Sequence, residues 1–224
     1  MRAVPRPTLF LPGCLVLLAG CSNLFHSDAK PEQTYLLRAP AARVAPAAAA
    51  AAGAVPATAL GPLQVAHPLA APGLDGPHIM LVQADHRMNF YLGSRWPGPL
   101  TDVVESLVVD TLRAQGEWQT VEDSGSPFGA EYLLEISVRR FEADYTVGGA
   151  TPTAVVVLDC TLGARAGRRF IASFVAQGSA VAGSDRMKEV TAAFEQASDA
   201  ALSSLAEQTL AAARGFAERA PAAH

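Results

Sequence analysis

Three stretches between Glu131 and Ala180 alternate apolar with polar residues, and a period of two commits that part of the chain to a sheet. In residues 131–141, Tyr132, Leu134, Ile136 and Val138 alternate with Glu131, Glu135, Ser137 and Arg139. In residues 153–164, Ala154, Val156, Leu158, Cys160 and Leu162 share one face. Gly163-Ala164-Arg165-Ala166-Gly167 then joins this strand to a third, residues 168–180, through a hairpin with two glycines. Both faces of the third strand are partly apolar, so its inner side stays unassigned. Strands that hide one face need a second layer over it.

Two helical patterns supply that layer. Leu100, Val103, Val104, Leu107, Val108, Thr111 and Leu112 recur at helical spacing over residues 100–115. Thr101 is placed to cap this helix, Asp102 and Glu105 sit in its favourable first turn, and Gly116 stops it. A last helix is expected over residues 185–214, with Met187, Val190, Phe194, Ala197, Ala201 and Leu205 inward. Ahead of these lie a strand at 63–67, a turn-rich segment at 71–77 and a hairpin of 78–82 with 87–92 around Asp85-His86. Met88, Phe90 and Leu92 face one way on it, and residues 93–99 read as a loop. Residues 118–121 form a short strand and 123–129 a further loop. The order predicts an α+β fold: an antiparallel-rich β-sheet with two amphipathic helices on one face, a two-layer sandwich. This domain occupies residues 61–217, with 218–224 as a disordered tail.

The chain ahead of residue 61 reads differently. Arg2 and Arg6 precede a mostly apolar run, residues 8–19, that is too short to cross a bilayer core of about 30 Å. Pro12 and Gly13 interrupt it. The run closes on Leu18-Ala19-Gly20-Cys21, which resembles a bacterial lipobox. That resemblance implies a signal peptide at 1–20, acylation of the Cys21 thiol, cleavage before it and acylation of the new amine. The other reading is an ordinary secretory signal with a chance cysteine. Two or more acyl chains anchor stably where one binds marginally. Ser22, where Asp would signal retention in the inner membrane, points to the periplasmic face of the outer membrane. Residues 21–60 form a tether. Within it 33–38 looks like a lone strand with Tyr35 and Leu37 on one face, and 39–59 is nearly all Ala and Pro.

The whole chain carries a net charge of −4. Loss of Arg2 and Arg6 leaves 15 basic against 21 acidic side chains, net −6. This excludes an electrostatic footprint for nucleic acid, and no basic stripe for anionic lipid stands out. Cys14 leaves with the signal and Cys21 is acylated, so Cys160 has no partner for a disulfide. Neither CxxC nor HExxH occurs, and no cofactor or metal is expected.

Taken together, the chain resembles the ABC-type transport auxiliary lipoprotein component family, its PqiC-like group. The residues that carry the likeness are Cys21, Tyr35-Leu36-Leu37, Gly61-Pro62-Leu63-Gln64-Val65 and Pro72-Gly73-Leu74-Asp75-Gly76. Phe90-Tyr91 ahead of Arg95-Trp96, and the helix bearing Phe194, complete it. The Ala/Pro insert and Gly98 depart from the family pattern. The resemblance implies a non-enzymatic accessory of an envelope transport system with an ABC permease and ATPase. It would dock to a mammalian-cell-entry (MCE) domain protein and help move lipid or another apolar substrate between membranes. A homo-oligomer is compatible with that role.

Several residues are candidate sites. Arg95-Trp96-Pro97 forms either a partner-docking tip or a lid packed over the first helix. Leu74-Asp75-Gly76 either contacts a partner through Asp75 or is a turn in which Asp75 bonds its own backbone. His67, His78 and His86 lack metal-ligand spacing. The loop Asp144-Tyr145-Thr146-Val147-Gly148-Gly149 is a solvated connection or a cargo contact. Cys160 is a reactive thiol or an inert core residue. Arg139-Arg140 either holds a phosphate or marks a bulge. Two other functions stand beside the transport accessory. An independent lipid-binding carrier needs a pocket between sheet and helices. An envelope hydrolase lacks a GxSxG or a close acid pair.

Overall fold

β7 (Tyr132–Asp144) and β8 (Thr153–Ala164) pair antiparallel from end to end, with Tyr132 opposite Ala164 and Asp144 opposite Thr153. The two rows of alternating apolar residues lie on one face and are buried: Tyr132, Leu134, Ile136 and Val138 beside Ala154, Val156, Leu158, Cys160 and Leu162. β9 (Arg169–Val181) pairs antiparallel with β8. The structure, a computed structural model, describes residues 31–40, 59–146 and 149–219.

The rest of the sheet runs the other way from expectation. β2 (Leu63–Val65), β3 (Leu69–Ala70) and β4 (His78–Val82) follow one another along the free edge of β7, all parallel to it. Leu63 stands opposite Tyr132, Leu69 opposite Ser137 and Met80 opposite Glu142. The sheet, nine-stranded among the described residues, is therefore mixed, which corrects the antiparallel-rich reading. The cause is α1 (Leu100–Gln115), which begins beyond β5 (Met88–Arg95). Its 16 residues span about 24 Å and return the chain to the level where β7 starts, so β7 runs parallel to β4. β6 (Val121–Glu122) pairs parallel with β2 on the way.

Four local expectations change. Residues 33–38 do not stand alone: β1 (Gln33–Thr34) pairs parallel with Ser94 and Arg95, and Ala39 is buried. Residues 32–39, assigned by sequence to the tether, thus join the domain, while 41–58 lie outside the described residues. β5 continues through residues read as loop, because Gly93 at φ 69° bulges the strand before Arg95 re-enters the ladder opposite His78. Thr101 is buried and does not cap α1; Pro99 holds the cap position with no side-chain bond. Gly116 does end α1, left-handed at φ 69°.

α2 (Met187–Arg219) is longer than the periodicity suggested, and its row Val190, Phe194, Ala197, Ala201 and Leu205 is buried as expected. It packs on β9 and β8, and α1 packs on α2, β2 and β3. Trp96, Phe141 and Phe194 fill the middle of the core. Trp96 meets both phenylalanines edge-on at 5.8 and 5.4 Å, and these stack on each other at 5.4 Å. The inner face of β9 is settled by pairing: Ala172, Phe174, Ala176 and Gly178 oppose Leu162, Cys160, Leu158 and Val156. Gly178 matters there. A Cβ on it would lie 2.9 Å from Ala200 Cβ and 2.9 Å from Ala201 N, so only glycine lets α2 approach this closely.

Candidate partner-docking site

The turn at 71–76, the end of β5 and the start of α1 meet at one corner. Trp96 N–H donates to Pro77 O (2.8 Å) and Leu100 N–H to Gly76 O (3.2 Å), which fixes all three segments together. Two of the four proposed contact residues are consumed by that corner: Trp96 is 1% and Leu74 2% exposed, so both side chains serve the core. Asp75 is exposed. Arg95 is half-exposed, donating to Trp96 O at 3.3 Å and reaching Glu32 at 3.4 Å. The fold brings Asp75 and Arg95 to one corner; Cys21 lies outside the described residues.

From this corner an open strand edge runs along β5. β1 covers only Ser94 and Arg95, so among the described residues Met88 to Phe90 pair on one side alone, with β4, and Tyr91 to Gly93 lie in the bulge, outside the ladder on either side. Met88, Phe90 and Leu92 are exposed on it, Leu92 at 86%. His78 stacks on Phe90 at 4.5 Å and stiffens the strip. An unpaired edge bearing exposed apolar side chains is a template for another chain. The sequence showed that Met88, Phe90 and Leu92 share a face; it did not show that the face is bare, because β5 alternates like a half-buried strand.

Beside this edge a groove of about 630 Å³ is lined by Leu81, Gln83, Tyr91, Tyr145, Asp185 and Met187, among others. The Tyr91 and Tyr145 hydroxyls share a hydrogen bond of 2.8 Å, and Tyr145 donates to Asp185 at 2.5 Å. Burial and the neighbouring Asp185 carboxylate push the Tyr145 phenol up to about 12, and Tyr91 rises too, mainly by burial. Both stay protonated at neutral pH. Asp144 is not a free loop carboxylate, since it accepts from Thr146 N (2.7 Å) and Thr146 Oγ1 (2.6 Å). Val147 and Gly148 lie outside the described residues.

The Arg139-Arg140 pair marks a bulge, where the β7–β8 register shifts between Val138 and Arg140. Arg140 bridges Glu142 (2.5 Å) and Asp144 (2.7 Å), both buried, and Arg139 reaches Asp159 at 3.3 Å. Each arginine has a carboxylate partner already. Cys160 is fully buried, and burial pushes its thiol up to about 12. The histidines go separate ways. His67 bonds Glu105 at 2.8 Å, His78 stacks on Phe90, and His86 takes φ 63° in the hairpin turn. Among the described residues no cluster of His, Cys, Asp and Glu suits a metal ion. Glu105 was legible only as a first-turn acid. It also accepts from Ser124 N at 2.7 Å, tying α1 to the 123–129 loop, and Ser124 and His67 hold its carboxyl below the usual range against its burial. Among the described residues no helix is long and apolar enough to cross a membrane.

A family model for the ABC-type transport auxiliary lipoprotein component matches residues 35–208. Among solved structures, protein XCC0632 from Xanthomonas campestris is 28% identical with a TM-score of 0.67, the match covering 84% of this chain and 97% of that one. A second, an uncharacterised protein, is 14% identical with a TM-score of 0.59 over 80% of this chain and 99% of its own, and shares the fold. A PelC dodecamer from Paraburkholderia phytofirmans is 20% identical over 68% of this chain and 94% of its own, with a TM-score of 0.39. No curated protein matches the sequence.

Proposed function

The chain belongs to the ABC-type transport auxiliary lipoprotein component family, and from that premise we propose that it is the outer-membrane-anchored accessory of an ABC/MCE-type envelope transport system. The match over residues 35–208, nearly all of the folded domain, carries this reading. In it, Cys21 bears the acyl chains that hold the domain on the periplasmic face of the outer membrane. The domain then docks to the periplasmic MCE component and assists passage of lipid or another apolar substrate. We assign docking to the open edge of β5, with Phe90 and Leu92 as apolar contacts and Asp75 and Arg95 at its end. The supporting observation is that this edge is both unpaired and apolar among the described residues. The reading keeps both helices on one face of the sheet as two layers. It assigns no catalytic residue, and the protein acts by binding rather than turnover.

The test is co-purification from detergent-solubilised envelopes. The full chain should bring down an MCE-domain protein, and Cys21→Ala should lose both membrane association and that partner. A transporter that works normally without this chain would overturn the reading. A carrier that encloses lipid between sheet and helices is the second possibility. Trp96, Phe141 and Phe194 already fill that space, which favours docking over enclosure.

A further inference from the structure

The far end of the sheet carries a feature that docking does not use. The β8–β9 register shifts between Leu162 and Gly163, which leaves Gly163 opposite Phe170 rather than Ile171. Leu133, Gly163 and Phe170 therefore form one row across β7, β8 and β9, on the face away from the helices. Gly163 has no side chain, so the row is a trough with a backbone floor and two apolar walls. Phe170 is 67% exposed. The hollow measures about 490 Å³, and Arg165, Arg168 and Arg169 are among the residues that line it.

The charged residues that line the hollow are mostly basic. Arg165 donates to the neutral Gln64 side-chain oxygen, and Arg169 sits 4.6 Å from the Phe216 ring centroid. Arg168 has no side-chain bond among the described residues, and its backbone takes φ 49° after Gly167 at φ 71°. None of the three meets a carboxylate within ion-pair distance among the described residues. Glu135 is the one acidic residue that lines the hollow. Guanidinium groups present a planar fork of donors that suits phosphate oxygens. Sequence reading found no basic stripe because the three arginines stand among glycine and alanine in a chain of net negative charge; the hairpin and its bulge gather them.

We propose that this trough binds a phosphate-bearing amphiphile, its oxyanion held by Arg165 and Arg168 and its apolar part laid over Gly163 between Leu133 and Phe170. Arg169, opposite the buried Ala164 and set over Phe216 of α2, faces the helix side and takes no part in holding the oxyanion. This gives the chain a ligand of its own, and failure of the inference leaves docking at β5 untouched.

The test is calorimetric titration of the full chain, held in an uncharged detergent, with three probes: dihexanoyl phosphatidic acid, inorganic phosphate and dihexanoylglycerol. Phosphatidic acid should bind best, free phosphate at least about tenfold more weakly, and the neutral diacylglycerol not measurably. Arg168→Gln removes an exposed side chain without a structural partner and should weaken both phosphate probes about tenfold, the loss of one charge-assisted contact. Phe170→Ser should weaken phosphatidic acid and leave free phosphate unchanged. Equal binding by wild type and Arg168→Gln overturns the oxyanion site. Free phosphate binding as tightly as phosphatidic acid, with Phe170→Ser silent, overturns the amphiphile. Binding of the diacylglycerol as tightly as phosphatidic acid overturns the oxyanion site.

Discussion

Replacing Gly178 by alanine tests how β9 and α2 are joined. A Cβ there would stand 2.9 Å from Ala200 Cβ, where carbon atoms ordinarily rest about 3.5–4.0 Å apart. It would also press on the Ala197 carbonyl oxygen and lie 2.9 Å from Ala201 N, both backbone atoms of α2. No rotamer change relieves a clash between a Cβ and a helix backbone, so α2 must move outward by roughly 0.6–1 Å. That loosens Phe194, Ala197 and Ala201, all fully buried. Overpacking of this kind costs about 1–3 kcal/mol. In a domain of this size each kcal/mol lowers Tm by about 2–4 °C, so Gly178→Ala should melt about 5–10 °C below wild type. Thermal denaturation followed by circular dichroism reads this directly, with Ser179→Ala on the exposed face as the neutral control. A Gly178→Ala melt within a degree or two of wild type would refute the close approach of helix and strand.

Other outcomes follow from the same contacts. Trp96→Ala should destabilise by about 3–5 kcal/mol, whereas Arg95→Ala should cost less than about 1 kcal/mol; urea melts separate a core tryptophan from a surface contact. Asp144→Asn should destabilise at pH 7 by about 1–3 kcal/mol. Burial pushes the Asp144 carboxyl up, but Thr146 and Arg140 outweigh it and hold the pKa below the usual range. Its contribution is therefore complete above about pH 3.9 and fades as pH falls through the lower folded value, so the gap between wild type and variant should narrow steadily in melts taken below that pH. The thiol of Cys160, buried and pushed up to about 12, should resist a thiol reagent in the native protein and react once after unfolding in urea. Mass spectrometry of the mature chain should find acyl chains on Cys21 and none in Cys21→Ala.

The parts of the fold that periodicity exposes are those where one element is long enough to repeat its pattern. β7, β8 and α1 declare themselves because Tyr132 to Val138, Ala154 to Leu162 and Leu100 to Leu112 each place several apolar residues on one face. The direction of the sheet was hidden for the opposite reason. β2, β3 and β4 have three, two and five residues, too few to signal which neighbour they follow, and their parallel pairing is decided by the path of α1. A strand at 33–38 was legible, but its place beside β5 was not, since Gln33 and Thr34 are exposed and offer no apolar row to match to a neighbour. At the candidate site, the pattern Met88, Phe90, Leu92 was visible, but its exposure depends on which strand lies beside β5. The arginine-lined trough was invisible because one bulge beside Gly163 decides which face Phe170 occupies.

Leu92, 86% exposed on the open edge of β5, is where the docking claim meets its most direct measurement. A photo-crosslinking amino acid at position 92 of the full-length, acylated chain is activated in intact envelopes, and the adduct is identified by mass spectrometry. A covalent adduct to the MCE-domain component of the neighbouring transporter is the expected result. Envelopes in which that transporter is present and active, yet position 92 joins to nothing while the same probe at Asp159 on the outer face of β8 captures the MCE component, would contradict it.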